Sequence, residues 1–398
     1  MEAVHAVTAQ PSVVYALPDT MGGALTIVAN LLQYRSPDAL TYRAVLTHNR
    51  MQTDTRSSRP LAAESHIVEY ALPLENMYAV ARRIGRAVGP GPGVLVCNDF
   101  AELLFVSLCD PGRTIVQILH GDYDYYYNLA ADHEPFVHAF VAYSRTVYER
   151  LIERIPHRRD TIFWLPYGIP IPEVGRQKTA GPLRLLYVGR LDEAKGIFDL
   201  PIIDRHLQDA GVPVTWTIVG SGPEGPELAA KWRSAAHVSW IPAATPDDVR
   251  AICSRHDVFV LPSHAEGLSV ATVEAMSAGL VPVVSDLPSM VELVDGARTG
   301  LRLPVHTPSA FARAIADLAG DRDRLEVMSA AARCLAIERF DVRERTAAYQ
   351  ALYARWRDLY RPRPATTRRI FGSRLDQPWI PNSVVYAIRR GERWLHQA

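Results

Sequence analysis

Short apolar runs rich in Val and Ile recur along this chain, separated by longer helix-like stretches. They fall at residues 13–17, 94–97, 114–119 and 140–142, then at 183–188, 214–219, 258–261 and 281–284. A strand that is apolar without alternation has both faces buried, and strands joined by helical crossovers run parallel. The pattern therefore specifies α/β architecture, with parallel sheets covered by helices on both sides. Pro156, Pro166, Pro170, Pro172 and Pro182 interrupt regular structure between the two series of runs. The expected division is a doubly wound, Rossmann-like domain at 1–165, a linker at 166–182 and a second such domain at 183–340. C-terminal helices and a basic tail fill 341–398, and a cleft is expected between the two domains.

Composition narrows the function classes. The chain balances 43 basic against 43 acidic residues, which gives no overall attraction to nucleic acid. Its four cysteines, Cys97, Cys109, Cys253 and Cys334, form no CxxC, so neither a disulfide framework nor a zinc site of that type is expected. A reducing, cytoplasmic setting fits this usage. The first ten residues hold no apolar run of the signal-peptide kind, and no spanning helix is expected.

Four segments carry chemistry. In YVGRLDEAKG, the strand 183–188 ends at Gly189, and Arg190 and Lys195 follow on the loop into the next helix. Ligands bind at the carboxyl ends of strands in such sheets, and two cations there can neutralise a diphosphate. Taken alone, such a pair is ordinarily two solvated surface charges. In HAEGLSVATVEAMSAG, a turn at Gly267 leads to a helix capped by Ser269 and stopped by Gly279. The backbone N–H groups of Gly267, Leu268, Ser269 and Val270 then form an anion site at a helix N-terminus. Glu266 precedes that helix and Glu274 lies inside it, so one carboxylate can meet a sugar and the other a ribose. In IVGSGPE, Gly220 and Gly222 permit either close backbone approach to a ligand or a tight turn. In the front half, strand 13–17 runs into Gly22 and Gly23 before a helix, and strand 114–119 ends at His120-Gly121. Both are ordinary structural devices when taken alone.

Together these segments resemble the retaining GT-B glycosyltransferases of family 4, which include bacterial hexosyltransferases of cell-surface glycans. The likeness is tightest from 183 to 304, through VGRLDEAKG, IVGSGPE, VFVLPSHAEGLSVATVEAMSAGLVPVVSD and TGLRLP, in the family's order and spacing. It is looser in front, through Gly22-Gly23, His120-Gly121, Ser144 and Pro166-Tyr-Gly168. The resemblance implies that Arg190 and Lys195 hold the diphosphate, with Gly22, Gly23, Gly189 and Gly220 lining the donor site. Glu274 would bind ribose. Glu266, with the amides of Gly267, Leu268 and Ser269, would hold the donor sugar, and His120 would contact it at the reacting centre. Configuration would be retained by front-face attack, with no enzyme nucleophile, no cofactor and no metal. The donor is a nucleotide-sugar, UDP favoured over GDP. His264 stands where the family varies and receives no role, and the resemblance implies that the C-terminal helices of 341–398 cross back to the first domain.

The acceptor is expected to be a glycan or a lipid-linked glycan of surface polysaccharide assembly. Asp122, Tyr125 and Tyr126 are the expected acceptor-side residues, since Tyr stacks on sugar faces. Ten arginines face three acids from residue 355 to the end, and this excess suggests an anionic membrane surface as a partner, at the inner face of the membrane. A solvated charged face is the plainer alternative. Three other readings stay open. Asp122-Tyr-Asp124 could be the DxD of a metal-dependent GT-A enzyme. The same fold also hosts sugar-nucleotide epimerases. The third is a degenerate nucleotide-sugar-binding subunit.

Overall fold

A computed structural model describes residues 10–20, 22–52, 56, 61–178, 180–232, 235–241, 245–267, 269–364 and 373–397. The chain forms two compact units: one gathers the described residues up to Tyr167 and from Arg345 onward, and the other spans Gly168–Glu344.

The first unit is built on seven strands: β1 Ser12–Pro18, β2 Thr41–Asn49, β3 Glu64–Tyr70, β4 Gly93–Cys97, β5 Thr114–Leu119, β6 Ala139–Ala142 and β7 Ile162–Trp164. Their order is β3-β2-β1-β4-β5-β6-β7, and every pair is parallel. The second unit holds six: β8 Leu183–Val188, β9 Val214–Val219, β10 Val238–Ile241, β11 Val258–Leu261, β12 Val281–Ser285 and β13 Leu301–Leu303. Their order is β10-β9-β8-β11-β12-β13, again all parallel. In each sheet the order reverses beside the first strand, between β1 and β4 and between β8 and β11. That is where a doubly wound sheet opens a ligand crevice at its carboxyl edge.

The runs read from the sequence are the central strands, and β4, β5, β6, β11 and β12 are buried throughout. β2, β3, β7 and β13 carried no comparable signal. β3 reads ESHIVEY and exposes five of its seven residues, as an edge strand does.

The presumed linker is no free tether from Gly168 on. Ile169 bridges Asp341, and the Arg176 and Gln177 amides donate to Ala278 and Ser254 at 2.6 and 2.8 Å. The Arg176 guanidinium, 4% exposed, pairs with Asp257 and Glu326. Helix Arg322–Phe340 stays with the second unit, where Ala332, Leu335 and Ala336 pack on Met276.

The return to the first unit is made by later residues. The Tyr349 hydroxyl donates to Leu165 O at 3.0 Å, and Gln350 exchanges hydrogen bonds with Ser36. Further on, Asp376 and Asn382 accept from the Met77 and Asn76 amides at 2.9 and 2.8 Å, and so cap the start of helix Met77–Val88. No helix among the described residues is long and apolar enough to cross a membrane.

Candidate functional site

The switch point of the second unit concentrates charge. β8 delivers Gly189 and Arg190, held by the Tyr187 hydroxyl, which donates to Arg190 O at 2.7 Å. The Arg190 side chain is 67% exposed and meets Asp192 at 2.6 Å. Such an open pair is worth little, so this guanidinium is available for exchange with a stronger anion. Asp192 also receives the Lys195 amide, capping the start of the short turn Glu193–Lys195. That turn aims Lys195 at the neighbouring loop, where its Nζ meets Glu266 Oε1 at 2.6 Å. Glu266 is fixed further: Ser263 Oγ donates to its carboxylate at 3.2 Å, and Ser289 Oγ to its carbonyl at 3.1 Å. The two charged motifs, 71 residues apart in the chain, therefore form one constellation.

Beyond Gly267 the helix Val270–Ala278 begins at Ser269, whose Oγ accepts from the Thr272 amide at 3.3 Å. Gly279, with φ 89°, ends it in the left-handed region that favours glycine. An N-terminus of this kind presents amides and a positive dipole end. Glu274 sits one turn inside and is 8% exposed. Leu268 lies outside the described residues. Gly220 has a structural reason of its own. A Cβ there would stand 1.9 Å from Gly189 O, so glycine lets the ends of β9 and β8 close on each other. The same holds for Gly222, where a Cβ would lie 2.2 Å from Leu191 O.

The first unit builds its switch point from largely neutral groups. Gly22 and Gly23, both exposed, follow β1 and open helix Gly23–Gln33, which has no side-chain cap. Gly22 is in plain extended conformation, with open space where a Cβ would stand. His120 follows β5, and its Nε2 lies 2.7 Å from Asn98 Oδ1. Asn98 Nδ2 donates to Ala16 O at 2.8 Å, which fixes the amide orientation. His120 Nε2 therefore carries the proton and Nδ1 keeps its lone pair. Burial lowers the His120 pKa to about 4, so the imidazole is neutral near pH 7.

Beside it, Asp99 caps helix Phe100–Leu108 in a capping box with Glu102. Glu102 is fully buried, accepting from Thr47 Oγ1 at 2.7 Å and from the Asp99 amide at 2.8 Å. Burial, reinforced by the Asp99 charge, pushes its pKa up to about 7. Asn98, Asp99 and Glu102 were missed by the sequence reading. The available signal was position: Asn-Asp directly after an all-apolar strand at the switch point.

The aromatic stretch divides. Tyr125 is 49% exposed, its hydroxyl donates to Asp99, and its ring meets Tyr126 edge-on at 5.2 Å. Asp122 does not fit an acceptor-side role. Its carboxylate is 6% exposed and accepts from the Tyr127 hydroxyl and from Arg150, both at 2.6 Å. It anchors helix Asp124–His133, so the DxD reading loses its first carboxylate.

The basic tail is likewise partly internal. Arg361 and Arg363 donate to carbonyls of Val137, Val106 and Cys109, and Arg389 pairs with Asp376 at 2.6 Å. Helix Asn382–Gln397 buries Val385 but exposes Val384, Ile388 and Trp394, the last 69% exposed.

Residues 182–321 match the family model described as Glycosyl transferases group 1. The glycogen synthase of Mycobacterium tuberculosis is 29% identical over 197 residues, which cover 48% of this chain and 48% of that protein. The chain thus spans about half the length of that curated relative. The GDP-mannose:cellobiosyl-diphosphopolyprenol alpha-mannosyltransferase of Xanthomonas oryzae is 24% identical over 313 residues, 71% of this chain and 80% of that one. Among solved structures, Anabaena HepE in complex with UDP and glucose superposes with a TM-score of 0.68 at 17% identity, covering 86% of this chain and 99% of that one. The chain has the two-sheet GT-B fold, and its second unit carries the segment that matches the group 1 family model.

Proposed function

We propose that this protein is a retaining glycosyltransferase that moves a hexosyl unit from a nucleotide-diphosphate sugar to a glycan or lipid-linked acceptor in surface polysaccharide assembly. The observation that carries the reading is the pairing of Lys195 with Glu266 at the carboxyl edge of β8 and β11, with Arg190 held on the same loop as Lys195 by Asp192. In the proposed reaction the bond from the anomeric carbon to the diphosphate breaks. The acceptor oxygen bonds to the same face, and its proton passes to the departing phosphate oxygen. Negative charge grows on the diphosphate as this happens. Arg190, Lys195 and the N-terminus of helix Val270–Ala278 stabilise that charge in place of a metal. Glu266 accepts from donor-sugar hydroxyls once Lys195 turns to phosphate, and Glu274 binds ribose. His120 offers its Nδ1 lone pair to a sugar hydroxyl, and Tyr125 and Tyr126 receive the acceptor.

UDP is the proposed base carrier, supported by a full-length structural neighbour holding UDP and glucose. The mannosyltransferase relative names GDP-mannose and a diphosphopolyprenol, which supports a lipid-linked acceptor and makes GDP the rival base. The test is transfer from a panel of UDP- and GDP-sugars to polyprenyl-diphosphate-linked oligosaccharides in EDTA, with product anomers read by NMR. Transfer with retained configuration is expected. Inverted product, or free sugar as the sole product, would overturn the reading.

The acceptor reading extends to an anionic leaflet at the inner membrane face of the cytoplasm, met by the exposed side of helix Asn382–Gln397. Val384, Ile388 and Trp394 are exposed on that helix alongside Arg390 and Arg393, and Trp379 is exposed just before it. Truncating the tail is a poor test, because Asp376 and Asn382 cap helix Met77–Val88. Trp394→Ala with Arg390→Glu leaves those caps intact. This double variant is expected to lose flotation with phosphatidylglycerol vesicles at low salt. Undiminished flotation would remove the helix from the proposal.

A further inference from the structure

A second cluster in the same unit is untouched by the diphosphate chemistry. Asp199 starts helix Asp199–Asp209, His264 lies on the loop after β11, and His306 follows β13. One ligand atom from each lies within 4.8 Å of the other two. His264 Nε2 is 3.2 Å from Asp199 Oδ2, and the His264 and His306 rings stand 3.9 Å apart between centroids. Ligand atoms on a tetrahedral Zn²⁺ with ordinary bond lengths are about 3.3 Å apart, so this edge of the polyhedron is already formed.

An ordinary Asp–His pair accounts for His264 alone. It does not account for His306, which holds φ at 57°, a backbone conformation that costs a non-glycine residue free energy. The His264 amide donates to Ala194 O at 2.9 Å, which fixes the loop that presents the ring. The Asp199 and His264 side chains are 16% and 24% exposed, and His306 is exposed, which leaves an entry path and room for water.

We propose that Asp199, His264 and His306 form a binding site for a divalent transition metal, Zn²⁺ above others, with an open fourth position. Two imidazoles and one carboxylate suit Zn²⁺, whereas Mg²⁺ and Ca²⁺ take oxygen ligands. The ion joins three segments. Two of them carry Lys195 and Glu266 close by in sequence, so the metal stiffens the loops of the anion site without entering it.

The test uses tag-free, full-length protein stripped with EDTA and desalted. Calorimetric titration with ZnCl₂ is expected to show one equivalent bound and a raised unfolding midpoint, with MgCl₂ giving neither. Co²⁺ in place of Zn²⁺ should give the visible absorption of a four-coordinate site. His306→Ala and His264→Ala should each weaken Zn²⁺ binding by at least the about 10- to 100-fold that loss of an outer-shell partner costs. His306 is on the surface, so its variant is expected to keep the wild-type circular dichroism. No saturable Zn²⁺ binding by the wild type, equal binding by folded variants, or a matching response to Mg²⁺ would each overturn the proposal. A nucleotide response measured in EDTA is independent of every one of these outcomes.

Discussion

At the switch point of the second unit, Arg190 stands open to solvent and Lys195 meets the Glu266 carboxylate at 2.6 Å. At the switch point of the first, His120 is neutral, burial raises the Glu102 pKa to about 7, and tyrosines flank them. The wiring of the two sheets is the same, with the order reversing beside the first strand in both. What differs is the chemistry loaded onto it. One edge is suited to a ligand that is already charged. The other, with a neutral imidazole and tyrosine rings around the Asp99 carboxylate, suits hydroxyl groups and ring faces. A shared topology therefore says where to look in each unit and leaves open what each binds.

The sharpest way to break this contrast is to remove a cation from the charged edge. Arg190→Ala and Lys195→Ala should each lower kcat by about 10²- to 10³-fold in a donor-turnover assay, the range for losing one preorganised group on developing charge. A tenfold rise in KM alone would instead mean ground-state binding.

The neutral edge is tested by pH. Glu102 loses its proton near 4.5 when unfolded but only near 7 when folded. Its contribution therefore falls as pH rises through that window and is fully unfavourable above it, by about 3 kcal/mol for a shift of this size. His120 works in the opposite sense. The unfolded imidazole protonates near 6.5 and the folded one near 4, so stability is lost as pH falls between them. Partial exposure limits that loss to about 1–3 kcal/mol. Glu102→Gln can keep both hydrogen bonds, so it should gain stability at pH 8 and then lose it more steeply than wild type on acidification. Urea unfolding at pH 5 and pH 8 reads this out. Parallel pH profiles for the two proteins would contradict it.

Smaller effects sharpen the assignment. His120→Ala should cost about tenfold in kcat/KM, the size of one hydrogen bond. Tyr125→Ala should raise the acceptor KM by a few fold while leaving donor binding unchanged, since a ring contact is worth about 1 kcal/mol. Equal losses on donor and acceptor would count against an acceptor role.

The charged edge was the legible one. Gly189, Arg190 and Lys195 lie in one short segment, as do Glu266, Gly267, Ser269 and Glu274, so local order and a buried strand before each were enough. Their union was not legible, because Lys195 and Glu266 meet only through the pairing of β8 with β11. The neutral edge draws Thr47, His120 and the pair Asn98 and Glu102 from three separate segments, and no spacing between those segments marks them. Asp122 and the tail arginines show the opposite limit. Charge was visible in the sequence, but the partners that occupy it, Tyr127, Arg150, Asp376 and several carbonyls, are set by tertiary packing.

The most direct measurement is thermal unfolding with UDP or GDP in EDTA, for wild type and for Arg190→Ala. A nucleotide at 100 times its Kd stabilises a protein by about 2.7 kcal/mol if it binds the folded state alone. A raised midpoint with UDP, lost in Arg190→Ala, is the predicted result. No shift with either nucleotide in EDTA, followed by a shift on adding Mn²⁺, would contradict a diphosphate site built from Arg190 and Lys195.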